Sequence, residues 1–78
     1  MASMRYIGEK TFYLYEGTWY DSLYDRSTTP PVKFVVMKSP EYYDLLRAHP
    51  DLARYLALGK VLFVDHGTNY QISDAAPH

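Results

Sequence analysis

The sequence contains no cysteine, so no disulfide restrains the unfolded chain. Its three histidines, His49, His66 and His78, form no i,i+4 pair and no H-E-x-x-H frame, which leaves a metal site without support. No apolar run exceeds four residues, as at Val61-Leu62-Phe63-Val64, far short of the ~20 that a membrane-crossing helix needs. Neither charge sign dominates. Eight Lys and Arg stand against nine Asp and Glu, for a net charge of −1, and neither sign forms a run. Nucleic acid requires a basic face and an anionic membrane a basic cluster, so neither is an expected partner. Four isolated glycines make no P-loop and no G-x-G-x-x-G, so no phosphate cradle and no cofactor are expected.

What is present is aromatic and apolar. The 78 residues suit one domain, and a chain of this size buries only about 60% of its unfolded surface. Its core must come from side-chain packing alone. With 47% hydrophobic and 17% aromatic residues the material suffices, and nine tyrosines bring rings that also carry a hydroxyl.

The strongest pattern is a hairpin written twice. Lys10-Thr11-Phe12-Tyr13-Leu14-Tyr15-Glu16-Gly17-Thr18-Trp19-Tyr20 aligns without gaps on Lys60-Val61-Leu62-Phe63-Val64-Asp65-His66-Gly67-Thr68-Asn69-Tyr70. Lys, Gly, Thr and Tyr recur at matching places. The recurrence reads either as an internal duplication or as hairpin physics met twice. In the first copy, Phe12 and Leu14 should share one face, the better core candidates, and Tyr13 and Tyr15 the other. Tyr15-Glu16-Gly17 suits a type I turn closed by a glycine bulge, because Glu at positive φ is costly. Thr18 to Asp21 completes that hairpin.

Between the hairpins, Asp25 to Pro31 is a loop, since two prolines remove ladder donors. Val32 to Met37 is a strand with apolar residues on both faces, which predicts a central position. Ser39-Pro40-Glu41 starts a helix through cap, fixed φ and favourable charge, carrying Tyr42, Leu45 and Leu46 on one stripe. Pro50 interrupts it. A second helix starts there with Leu52, Tyr55 and Leu56 inward and Gly59 as its stop. The expected fold is α+β: five short, mostly antiparallel strands in the order β-β-β-α-α-β-β, with the helical pair on one face of the sheet. Residues 1–4 read as a cloning remnant or frayed terminus of an excised domain, 5–73 as the single domain and 74–78 as a disordered tail. The opening Met1-Ala2-Ser3-Met4 has no signal-peptide apolar region.

Candidate chemistry is sparse. Asp21 and Asp25 flank the end of the first hairpin and could be read as paired carboxylates, but a solvated strand end and loop is the preferred reading. Ser22, Ser27, Ser39 and Ser73 belong to no G-x-S-x-G elbow. Asp65-His66 is a turn pair more readily than a ligand pair. No catalytic residue, metal ligand or cofactor is therefore expected. The remaining signal is aromatic. Tyr13, Tyr15, Trp19 and Tyr20 come from one hairpin, which cannot bury both faces within itself, and form a candidate binding platform. Its alternative fate is to lie under the Asp25 to Pro31 loop or the chain's own tail.

Several strings together resemble a known family: Gly8-Glu9-Lys10-Thr11-Phe12-Tyr13, Gly17-Thr18-Trp19-Tyr20-Asp21-Ser22 and Ser39-Pro40-Glu41-Tyr42-Tyr43-Asp44-Leu45-Leu46, followed by His49-Pro50-Asp51-Leu52, Tyr55-Leu56-Ala57-Leu58-Gly59 and Gly67-Thr68-Asn69-Tyr70-Gln71-Ile72. The chain resembles, over residues 5 to 73, the short C-terminal segment of bacterial proteins that combine a vault/inter-alpha-trypsin-inhibitor-like (VIT) domain with a von Willebrand factor A domain. The resemblance implies adhesion or assembly. The A domain's Asp-x-Ser-x-Ser metal motif is not matched by Asp21-Ser22-Leu23-Tyr24-Asp25, so no metal site carries over. The expected function is a non-catalytic interaction domain that contacts a protein partner or other domains of its parent, with self-association possible. A carbohydrate or cell-wall binder using Trp19 and its Tyr neighbours is the alternative, and Glu16-Gly17-Thr18-Trp19-Tyr20 resembles the Gly-Trp-Tyr hairpins of choline-binding repeats. A small hydrolase is the third reading.

Overall fold

The computed structural model describes residues 3–74, so expectations resting on Met1, Ala2 and residues 75–78 lie outside it. Along the chain run β1 (Met4–Ile7), β2 (Lys10–Tyr15), β3 (Thr18–Asp21), β4 (Lys33–Val36), α1 (Pro40–Ala48), a 3-10 turn (Pro50–Leu52), α2 (Ala53–Leu56), β5 (Val61–Asp65) and β6 (Thr68–Ser73). They make one six-stranded sheet in the order β1-β2-β3-β5-β6-β4. The pairs β1/β2, β2/β3 and β5/β6 are antiparallel, while β3/β5 and β4/β6 are parallel. The fold is thus α+β, with six strands rather than five and a mixed sheet.

The additional strand comes from a turn that the composition hid. Gly8, at φ 60°, opens the two-residue loop Gly8-Glu9 and folds β1 back with Ile7 opposite Lys10. A glycine first in such a loop relieves the strain of positive φ. Met4 therefore begins a strand instead of fraying, and the Leu14 N–H donates to the Ser3 carbonyl at 3.1 Å.

Both long hairpins turn on two residues, between Tyr15 and Thr18 and between Asp65 and Thr68. Their φ values are 48° and 81° at Glu16-Gly17, and 46° and 81° at His66-Gly67. Two consecutive positive φ angles give a turn whose twist matches the flanking strands. The type I turn with a bulge is not formed: strand twist outweighs the local cost at Glu16 and His66.

The second hairpin enters the sheet as a unit between β3 and β4. β5 takes the free side of β3, so β4 finds room only beyond β6, at the edge instead of the centre. Because β2 and β5 run in opposite directions while each precedes its partner in the same sheet order, the hairpins are related by a half-turn about an axis across the strands. Residues that match in sequence thus face opposite sides. Phe12 lies in the core, whereas its counterpart Leu62 is buried on the other face.

The helical segment covers one face, here called inner. Leu52, Tyr55 and Leu56 pack on Phe12, Val35, Val61, Phe63 and Ile72. Ring contacts link Phe12 to Tyr55, Tyr55 to Phe63 and Phe63 to Tyr70, at 5.5, 5.5 and 5.4 Å between centroids. Leu14, expected with Phe12, has the right face but lies outside the core cluster and is 38% exposed. Helix α1 starts as its sequence indicates: Ser39 Oγ accepts from the Tyr42 N–H at 3.3 Å, with Pro40 and Glu41 in the first turn. Tyr42, Leu45 and Leu46 lean on the core. After Pro50 the chain first makes a 3-10 turn, so the second helix is only Ala53–Leu56. Gly59 follows at φ 89°.

Gly17 and Gly67 share φ 81°, and a Cβ at either would meet no close neighbour. Substitution there is opposed by backbone strain alone. Gly17→Val and Gly67→Val should each lower stability by about 1–3 kcal/mol, with matching shifts in thermal melts. A wild-type melt for one and not the other would show that the two turns are not equivalent.

Candidate functional site

Strand alternation divides the expected aromatic platform. Tyr13 pairs with Tyr20 and Tyr15 with Thr18, all on the helix-free outer face, whereas Leu14 pairs with Trp19 on the inner face. Trp19 rests half-buried against the core, with the Arg5 guanidinium 5.2 Å from its ring centre. The structure thus brings together Tyr13, Tyr15 and Tyr20, and removes Trp19 from them.

Two residues join that face from β1. Met4 lies opposite Tyr13, and Tyr6 opposite Thr11. Met4, Tyr6, Tyr13 and Tyr15 are 45%, 75%, 41% and 45% exposed. The sequence reading missed the first two because it left out β1. The alternation Met4-Arg5-Tyr6-Ile7 before Gly8-Glu9 was the available signal.

The loop from Ser22 to Val32 bounds this face. Its Arg26 guanidinium lies 3.8 Å from the Tyr15 ring centre and 4.8 Å from that of Tyr20, a cation–π arrangement. Tyr15 and Tyr20 meet edge to face at 6.3 Å. The loop is tied down at three places. Asp25 accepts from the Ser27 hydroxyl at 2.5 Å and the Ser27 N–H at 2.9 Å, the Tyr24 hydroxyl donates to the Pro30 carbonyl at 2.7 Å, and the Asn69 amide donates to the Pro31 carbonyl at 3.1 Å. The Ser27 hydroxyl above all holds the Asp25 carboxyl below the usual carboxylate range, so the help it gives the loop persists above that range and fades as pH falls through its lowered pKa. Partial burial, with Tyr20 and Asp25 nearby, raises the Tyr24 phenol. Tyr24, Arg26 and Thr29 line a depression of about 320 Å³ with Leu62 at its base. The loop therefore shields the Leu62 end of the outer face and leaves the β1–β2 end open.

Asp21 departs furthest from expectation. It is 1% exposed, not solvated. One carboxylate oxygen accepts from Lys10 Nζ at 2.7 Å and from the Val64 N–H at 2.9 Å, and the other accepts from the Leu23 N–H at 3.0 Å. Asp25 belongs to the loop turn, where it is bonded to Ser27, while Asp21 is bonded to Lys10, Leu23 and Val64. A hollow of about 400 Å³ is lined by both aspartates together with Tyr13, Tyr20 and Arg26, and no histidine lines it. His66 and Asp65 meet at 3.1 Å in the exposed second turn. Among the described residues, no group of three or more His, Asp or Glu is placed to hold a metal ion, and no helix is long and apolar enough to cross a membrane. Comparison with family models, curated proteins and solved structures finds no match to this chain.

Since the Asp21 carboxylate is itself buried, removing it leaves a largely covered ammonium and two amides without their acceptor. Asp21→Ala should cost about 3–5 kcal/mol, read from urea denaturation midpoints, and so remove much of the stability of a small domain. A loss under about 1 kcal/mol would mean that water replaces the carboxylate.

Proposed function

We propose that this chain is a non-catalytic interaction domain whose outer face, built on β1, β2 and β3, docks against a protein partner or another domain of a larger bacterial protein. The observation that carries this reading is the open row of Met4, Tyr6, Tyr13 and Tyr15, continued by Tyr20 with Arg26 stacked on it. Tyr, Met and Arg are the residue types enriched where protein surfaces meet. Tyrosine gains contact area at low entropic cost and tolerates water when unbound. The resemblance to the C-terminal segment of VIT and von Willebrand factor A proteins supplies the setting, in which the partner is a neighbouring domain. A sugar platform draws less support, because its largest ring, Trp19, lies on the other face beneath Arg5.

The test is a binding measurement against the other domains of the parent protein, with sedimentation of the chain alone. Tyr6→Ser combined with Tyr15→Ser should weaken association by about tenfold or more. Both positions are exposed, so losing the Arg26 stack on Tyr15 should lower the melting temperature only slightly. A strictly monomeric chain, indifferent to every parent domain, would count decisively against this role.

A further inference from the structure

The other edge of the sheet offers a second, independent surface. β4 is an edge strand, and α1 lies over its inner side. Between them opens a groove of about 490 Å³ with Val35, Leu45 and Tyr70 as apolar lining. Its charged rim has a direction. Lys33 stands at the start of β4, and Glu41 and Asp44 stand along α1. Among the described residues, neither Lys33 nor Glu41 takes part in an ion pair.

The backbone of this edge is open. The Met37 N–H donates to the Ser73 carbonyl at 2.7 Å, so by alternation Lys33, Val35 and Met37 bond toward β6 while Phe34 and Val36 turn outward. The Val36 carbonyl is taken by the Ser39 N–H at 3.1 Å. Among the described residues, the N–H and carbonyl of Phe34 and the N–H of Val36 remain for another strand. The same alternation puts every second side chain of an added strand over the groove.

We infer that this edge captures an extended peptide running antiparallel to β4, with the pattern basic–x–apolar–x–acidic. In that register the apolar side chain lies opposite Val35 and enters the groove beside Leu45. The basic residue before it meets Glu41, Asp44 being already paired with Arg47, and the acidic residue after it meets Lys33. Strand addition supplies affinity through the main chain, and the alternate side chains supply the selection. The opposite order of charges would bring like charges together at both ends, which is what gives the surface its preference.

The probe is the fluorescein-labelled peptide Thr-Arg-Thr-Leu-Thr-Glu-Thr, titrated by anisotropy, with Thr-Glu-Thr-Leu-Thr-Arg-Thr as its charge-reversed counterpart. The first peptide should bind saturably and about tenfold more tightly than the second. Glu41→Lys, on an exposed helix position, should reduce that preference, and Lys33→Glu with Glu41→Lys should invert it. Phe34→Pro removes an outward N–H without touching the β6 ladder, a substitution that sheet edges tolerate. It should abolish binding, whereas Phe34→Ala, which loses the same half-buried ring but keeps the N–H, should not. Equal binding of the two peptides, no saturable binding, or an unchanged preference in Glu41→Lys overturns the inference. So does self-association of the chain that Phe34→Pro abolishes, since that outcome assigns the edge to a second copy.

Discussion

Everything in this sheet depends on how its two hairpins are joined, and the joint is small. β3 and β5 pair over only Trp19 with Val61 and Tyr20 with Leu62. One residue later the chain leaves the sheet, and the Asp21 carbonyl is taken by the Tyr24 N–H at 3.0 Å. The carboxylate of the same residue receives the Val64 N–H, extending the ladder past the end of β3. Lys10 neutralises it from β2, and Leu23 holds it from the turn. A buried charge is stabilising only where its lone pairs are occupied. That condition is met here, and among the described residues no buried side-chain nitrogen or oxygen lacks a partner. The carboxylate thus specifies register at the one place where the hydrogen-bond ladder is shortest.

The half-turn between the hairpins explains why similar strands have unlike surroundings. In the first, the inner set includes Phe12 and Trp19, and the tyrosines face outward. In the second, Val61 and Phe63 face inward with Tyr70, and Leu62 faces outward beneath the long loop. One pattern of turn and aromatics therefore yields a buried ring cluster in one copy and an exposed face in the other. Helices cover a single face, so a flipped copy must supply apolar residues to both, as Val61-Leu62-Phe63-Val64 does.

The two candidate surfaces differ in kind. The outer face beside β1 is broad and aromatic, suited to a folded partner. The β4 edge is narrow and rimmed by charge, suited to a single strand. Open sheet edges are an aggregation hazard that proteins limit with short strands and charged residues. Both edge strands here have four residues, and Arg5 and Lys33 provide charge at each edge.

Much of the local chemistry was legible from the sequence, the Gly8-Glu9 turn that creates β1 being the local feature it missed. Ser39-Pro40-Glu41 specified a helix start, the alternation around Phe12 and Tyr13 specified which residues share a face, and the glycines at 17, 59 and 67 marked chain reversals that need positive φ. Such features depend on sterics and hydrogen bonds within a few residues. Three features depended on contacts distant in sequence. The edge position of β4 follows from where the second hairpin inserts, the separation of Trp19 from the tyrosines becomes a matter of function only once helices cover one face, and the burial of Asp21 requires Val64, forty-three positions away. The sequence by itself determined where the two long hairpins reverse, the helix cap and the alternation, while the turn type at Glu16-Gly17 and His66-Gly67 followed from strand twist. The tertiary structure alone decided which face is covered, which edges stay open and which charge is enclosed, because burial belongs to the packed arrangement and not to any one segment.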